Sequence, residues 1–368
     1  MPVRERPIRV AVVGANAAYG WGGTAHLHAL NSLAGFEVAA ILNSTEASAR
    51  ANAAHYGVEK AYWSVEDLAS DDAIDLVSVC VRVDQHHSIV SSLLDSGKSV
   101  LCEWPLGSSL AEAEDLASRA ASRGTLGVIG LQARQSPAVI LAREMIRAER
   151  IGPLQFVRID QSLPFQPNPS MRTAYLQSAS SGADFLSVPV AHALDVLSFC
   201  IGPFMLDGAL TATHVPTVKI TETGNQVTRS SPDQLVLSGA TATGALVSGS
   251  FRGGLAAAGG FTMEITGRHG EIVIQGGDGE RVQMAHLKLY LRERDGRSVQ
   301  VEQDFAETEL DRTFGIAANT VRLYKNIRTA IIEKGERPAS FSDAVSLHKL
   351  IDRVRDLGNI GLKTVRSK

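Results

Sequence analysis

A histidine and an aspartate three positions apart, His192 and Asp195 in SSGADFLSVPVAHALDVL, form a pair suited to moving a proton. On a helix that spacing places both side chains on one face. There the carboxylate would raise the basicity of an imidazole working near neutral pH. The same spacing also suits a core histidine capped by a nearby aspartate. A second constellation opens the chain. In RVAVVGANAAYGWGGTAHLHAL, Gly14 ends an apolar run, and Gly20, Gly22 and Gly23 would let backbone approach a pyrophosphate at a helix N-terminus. The match to G-x-G-x-x-G is imperfect, because the expected glycines fall on Asn16 and Tyr19, so the loop is longer than standard.

Cofactor choice in such a fold is read at the end of the second strand. Here Ile41-Leu42-Asn43-Ser44-Thr45 has no carboxylate before Glu46, and Arg50 is the first cation beyond it. Loss of the acidic residue removes the repulsion that excludes a 2′-phosphate, yet no arginine follows at once to grip one. NAD and NADP both remain open.

The elements that must position these residues follow from hydrophobic periodicity. Strands are expected at Ile8–Val13, Glu37–Leu42, Leu76–Val81, Ser99–Cys102 and Gly127–Gly130, with helices such as Leu110–Ser122 between them. Strict alternation of apolar strands and helices implies a doubly wound parallel sheet. After a linking helix near Ser136–Glu149 the pattern changes. Strands at 155–163, 206–214, 234–240, 244–251, 261–266, 271–275 and 286–293 follow one another with few helices. Such a run implies an α+β domain with a large open mixed or antiparallel sheet. Helices near 183–201, 316–334 and 342–358 complete it. The expected division is 1–134 for the Rossmann domain and 135–368 for the second, with the C-terminal helices able to pack back on the first.

A length of 368 residues suits two domains, and 44% hydrophobic with 20% charged residues is the composition of a globular protein. A net charge of −3 gives no electrostatic argument for nucleic acid or a membrane surface. Cys80, Cys102 and Cys200 lie in apolar runs and read as buried reduced thiols of a cytoplasmic protein. The charged N-terminus, running into a strand, does not read as a signal peptide, and no apolar run approaches the roughly 20 residues of a bilayer span. A metal site is not expected, since His26-x-His28 and His86-His87 lack a third ligand at sensible spacing.

Three stretches carry a family resemblance: SGKSVLCEWPLG, GVIGLQAR and the closing SFSDAVSLHKLIDRVRDLGNIG. The chain resembles the Gfo/Idh/MocA oxidoreductases over nearly its whole length. Its Gly-Trp first loop, its Asn-Ser ending of strand two and Glu-Trp in place of Glu-Lys are most similar to the branch containing the yeast galactose-regulon repressor. The resemblance implies that NAD or NADP lies against Gly14, Asn16, Ala17, Gly20 and Trp21. It adds Asn43 and Ser44, then Val81, Val83 and His86 after strand four, and Glu103, Trp104 and Gln132. It implies His192 and Asp195 as catalytic groups, with Arg134, Tyr175 and His192 toward a substrate. Asp84 and His87 lie at the same sheet edge.

The departure is central. The family's hydrogen-bonding acid is the lysine of Glu-Lys-Pro, and this chain has Glu103-Trp104-Pro105. An indole cannot exchange a proton at neutral pH. Trp104, on a loop expected to be exposed, packs under the nicotinamide or stacks on a sugar. The favoured expectation is an NAD(P)-dependent oxidoreductase acting on a sugar, polyol or related hydroxyl or carbonyl compound, with His192 handling the proton. Its partner would then be that small molecule, in a homodimer or homotetramer, with no nucleic acid and no membrane. The alternative is a non-catalytic NAD(P)-binding transcriptional regulator or sensor. Retention of His192 favours the first, and loss of the lysine favours the second.

Overall fold

The computed structural model describes residues 6–254, 257, 259–277, 280–294, 297–301, 309–333, 335 and 337–366. The chain divides into two compact units, and each is interrupted in sequence. The first comprises Met1–Gln132 with Glu309–Ser346, and the second comprises Ala133–Thr308 with Leu347–Lys368. The stretch 309–346 therefore belongs with the Rossmann unit rather than with the second.

Among the described residues six strands build the first unit: β1 (Ile8–Val13), β2 (Phe36–Leu42), β3 (Lys60–Tyr62), β4 (Leu76–Val79), β5 (Ser99–Glu103) and β6 (Gly127–Gly130). All pairings are parallel, in the order β3-β2-β1-β4-β5-β6. The order reverses between β1 and β4, and the carboxyl ends of those strands form the crevice where this fold takes ligands. Val10, Val12, Leu76 and Leu101 are fully buried, as expected of strands covered on both faces. The returning helix Ala318–Ile332 adds Val321, Leu323, Tyr324 and Ile327 to the same core. Beyond it, Ala339 accepts from the Ile129 amide at 2.9 Å, and Ser340 bridges Val128.

Among the described residues the second unit holds eight strands in one sheet and two in a ribbon. They are β7 (Leu154–Ser162), β8 (Phe204–Ala212), β9 (Thr217–Lys219), β10 (Gln226–Thr228), β11 (Gln234–Thr241), β12 (Leu246–Arg252), β13 (Gly260–Gly267), β14 (Gly270–Gln275), β15 (Lys288–Glu293) and β16 (Ser298–Gln300). The large sheet runs β16-β15-β14-β13-β7-β12-β11-β8, antiparallel except where β7 meets β12. Period-two alternation separates its faces. Val157, Ile159 and Gln161 are buried, whereas Phe156 and Arg158 are exposed. The helices Pro137–Arg147 and Ala191–Ile201 pack on each other, the second also meeting β7. Among the described residues no helix is long and apolar enough to cross a membrane.

Candidate functional site

Gly14 follows β1 with φ of +85°, and a Cβ there would lie 2.7 Å from Val81 Cγ1 and 3.1 Å from the Cys80 carbonyl. Only glycine lets the ends of β1 and β4 approach so closely. The loop that follows is fixed from the far side. Asn43 Nδ2 donates to the Ala15 carbonyl at 3.0 Å, and Asn52 Oδ1 accepts from the Ala17 amide at 2.9 Å. Asn16 turns its carboxamide onto its own loop, accepting from the Ala18 amide at 2.9 Å. Gly22 and Gly23 close the loop on itself, since a Cβ on Gly23 would meet the Asn16 carbonyl at 2.4 Å. Sequence reading gave them to pyrophosphate approach, but their smallness first serves this internal packing.

Whether a dinucleotide phosphate fits here can be tested on Trp21. Its indole Nε1–H is buried and has no acceptor among the described residues. A buried donor without an acceptor is costly, and a ligand oxygen would satisfy it. The loop therefore fits the group. At the end of β2, Ser44 is exposed, while Arg50 pairs with Glu46 at 2.7 Å and lies over the Trp63 ring at 5.6 Å.

The loop after β5 is held by two fasteners. His86 is buried, with Nδ1 2.7 Å from the Pro105 carbonyl and Nε2 3.1 Å from the Val81 carbonyl. Burial lowers its pKa, and the two carbonyls oppose that shift in part. Both ring nitrogens are thus engaged with backbone, so His86 positions the loop rather than presenting a side chain to cofactor. Val81 packs against Gly14 and Val83 is buried in the turn that follows. Asp84 lies at the surface 3.3 Å from Arg82, and His87 pairs with Asp115 at 2.8 Å.

The second fastener is a buried relay that local sequence signals did not reveal. Glu103 accepts from Gln132 Nε2 at 2.7 and 2.8 Å and from His26 Nε2 at 2.9 Å. His26 Nδ1 lies 2.7 Å from the Tyr324 hydroxyl, which lies 2.7 Å from Ser78 Oγ. A carboxylate only accepts, so Nε2–H donates to it, Nδ1 accepts from Tyr324, and Tyr324 accepts from Ser78. Glu103 and Gln132, both assigned to the cofactor, are thus bound to each other. Trp104, expected on an exposed loop, is only 7% exposed, so its indole is packed rather than facing water.

In the second unit, Arg134 donates from Nε and one terminal nitrogen to Asp195, at 2.6 to 3.1 Å. Asp195 is 1% exposed. The expectation that this carboxylate raises the basicity of His192 is corrected. Instead the His192 pKa falls to about 3, because burial disfavours its charged form and the nearby Arg281 cation repels it. Its imidazole should stay neutral from about pH 5 to 8, so its ¹⁵N signals should not titrate over that range. Below the unfolded value near 6.5, the unfolded chain takes up a proton that the folded chain refuses until about 3. Stability from this group is therefore lost as pH falls through that window.

Tyr175 sits half-buried in the short turn Ala174–Gln177. A carboxylate passed over in the sequence, Asp184, accepts from Ser187 and Arg355 and is fully buried. Cys102 and Cys200 are buried and free, and burial pushes the Cys200 thiol up to about 12, unsuited to a nucleophile. No group of three or more candidate ligands among the described residues could hold a metal ion.

Fold and site define a two-domain protein built on an NAD-binding Rossmann unit, and its N-terminal third is similar to the Gfo/Idh/MocA family. Residues 8–130 match the model of the oxidoreductase family with NAD-binding Rossmann fold, and residues 137–276 match that of the Gal80p C-terminal domain. The galactose/lactose metabolism regulatory protein GAL80 of Saccharomyces cerevisiae is 28% identical over 77% of this chain and 70% of its own length. A dehydrogenase of Aspergillus oryzae, aclE, is 31% identical over 55% of this chain and 57% of its own. The solved structure of a super-repressor mutant of Gal80p from Saccharomyces cerevisiae superimposes with a TM-score of 0.86, at 25% identity over 96% of each chain. The family thus holds dehydrogenases and regulators alike. The expectation of a small-molecule substrate as the partner is overturned, because the GAL80 proteins of Saccharomyces cerevisiae and Kluyveromyces lactis, matched over 77% and 78% of this chain, are regulatory proteins.

Proposed function

We propose that this protein is a nicotinamide-nucleotide-binding regulator or sensor that carries out no hydride transfer of its own. One observation carries the reading: the position of the family's acid is Trp104, buried and unable to exchange a proton. His192 does not replace it, since an imidazole with a pKa near 3 is a poor acceptor of protons at neutral pH. Asp195 is held by Arg134 and supports the fold of its unit. The bound nucleotide would supply hydride chemistry in an enzyme; here its occupancy would be the signal. Gly14, Asn16, Ala17, Gly20 and Trp21 would hold it, Asn43 and Ser44 would face its ribose, and Glu103 would be oriented by His26 and Gln132.

NAD is the nucleotide these residues favour over NADP. Arg50 is already paired with Glu46, whose carboxylate would repel a 2′-phosphate. Fluorescence titration should therefore give a tighter Kd for NADH than for NADPH. The same protein should show no change in nicotinamide absorbance with sugars, polyols and their aldehydes or ketones. Turnover on that panel that disappears in His192→Ala would overturn the regulator reading. Failure to bind either reduced nucleotide at about 1 mM would remove the sensor.

A further inference from the structure

We infer that the corner of the second unit formed by His192, Gln161 and Arg281 is a binding site for a ligand bearing an oxyanion, a carboxylate in the first instance. Three polar groups without partners carry the inference. The Arg281 guanidinium is half-buried and has no acceptor or carboxylate among the described residues. Three other arginines of this unit do have carboxylates: Arg134 pairs with Asp195, Arg229 with Asp233, and Arg355 with Asp184. His192 is 4% exposed with no partner for Nδ1, and Gln161 is 3% exposed with no partner for Nε2. Burying a cation without a counter-charge beside two unsatisfied polar groups is costly, and an anion would relieve all three.

The fold brings these groups to one place. Gln161 ends β7 and stands opposite Phe261 of β13 in the sheet register, so both share the buried face. Phe261 is packed by the turn after β14: a Cβ on Gly276 would lie 3.4 Å from Ala285 Cβ and 3.5 Å from Phe261 Cβ. That turn is closed by the Arg281 carbonyl, which accepts from the amides of Met284 and Ala285 at 2.8 and 2.9 Å. His192 opens the helix that packs on β7, within reach of the Arg281 charge. A planar guanidinium presents two parallel N–H bonds to a carboxylate, and the Gln161 amide and a neutral Nδ1–H would complete its remaining lone pairs.

For the ligand's role as an effector rather than a substrate, this inference rests on the regulator reading; the site itself does not. Inorganic phosphate shares the chemistry, and the experiment separates it. Protein with ¹⁵N-labelled histidine is titrated with succinate, with inorganic phosphate and with neutral inositol, while NADH affinity is measured in the same samples. Succinate should shift the His192 imidazole signals and inositol should not. In Arg281→Gln the succinate Kd should rise at least about tenfold with NADH affinity unchanged. Stronger binding of phosphate than of succinate, lost in the same variant, would keep the oxyanion site and reassign its ligand. Silence of the His192 signals in wild type toward both anions at about 10 mM would overturn it, whether or not the variant folds. Equal succinate binding in Arg281→Gln would do the same. Turnover on the substrate panel would instead sink only the regulator reading.

Discussion

Replacing Asp195 with alanine will destabilise the protein by about 3–5 kcal/mol, because it leaves the Arg134 guanidinium largely buried and without its carboxylate. The pair is bonded through two nitrogens, and the side chains are 13% and 1% exposed, so solvent screens it little. Urea unfolding at pH 7 measures the loss. Asp195→Asn, which keeps the shape and one accepting oxygen, should lose less. NADH binding by the folded fraction should be unchanged. A loss under about 1 kcal/mol would mean that the pair is not structural, and the carboxylate would have to be reconsidered as a functional group.

Gly23→Ala will weaken NADH binding by more than about tenfold, as overpacking of this kind costs roughly 1–3 kcal/mol. Its new methyl meets the Asn16 carbonyl at 2.4 Å and the Tyr56 hydroxyl at 2.7 Å. The side chain of Tyr56 can swing away; the loop backbone cannot without displacing the segment Gly14–Ala17. Adding Tyr56→Phe should recover only part of the affinity. Gly20→Ala is the informative contrast. At φ of +94° it has open space for a Cβ, so it meets only backbone strain and should cost less. Affinity unchanged in Gly23→Ala would locate the nucleotide elsewhere.

Much of the architecture could be read from the chain because buried parallel strands are unbroken apolar runs. The strands around Val10–Val13 and Leu76–Val79 are of this kind, whereas the antiparallel pair β7 and β13 was legible through its period-two alternation. The strands β3, β9, β10 and β16, three residues each, are too short to show a period. The site was legible in types but not in partnerships. His26 was weighed only as a metal ligand, because its partners Glu103 and Tyr324 lie 77 and 298 residues away. Arg134 and Asp195 were each singled out, for separate reasons, and their pairing across 61 residues carried no local signal. A core histidine was one of the two readings of His192, but the Arg281 cation that stands near it could not be read, since His-x-x-Asp spacing says nothing about distant neighbours.

The return of residues 309–346 to the first unit has a consequence for synthesis on the ribosome. Val321, Tyr324 and Ile327 belong to the core of a sheet whose last strand ends at Gly130. At about 5–20 residues per second, roughly 10–40 s pass between emergence of that strand and of the residues that seal it. During that interval the nascent Rossmann unit exposes the apolar surface those residues later cover, and the second unit must be made before the first can close. A fragment truncated after residue 132 would stay in that open condition and bind chaperones, whereas one in which 309–346 is joined directly to 132 would supply every core residue the unit needs.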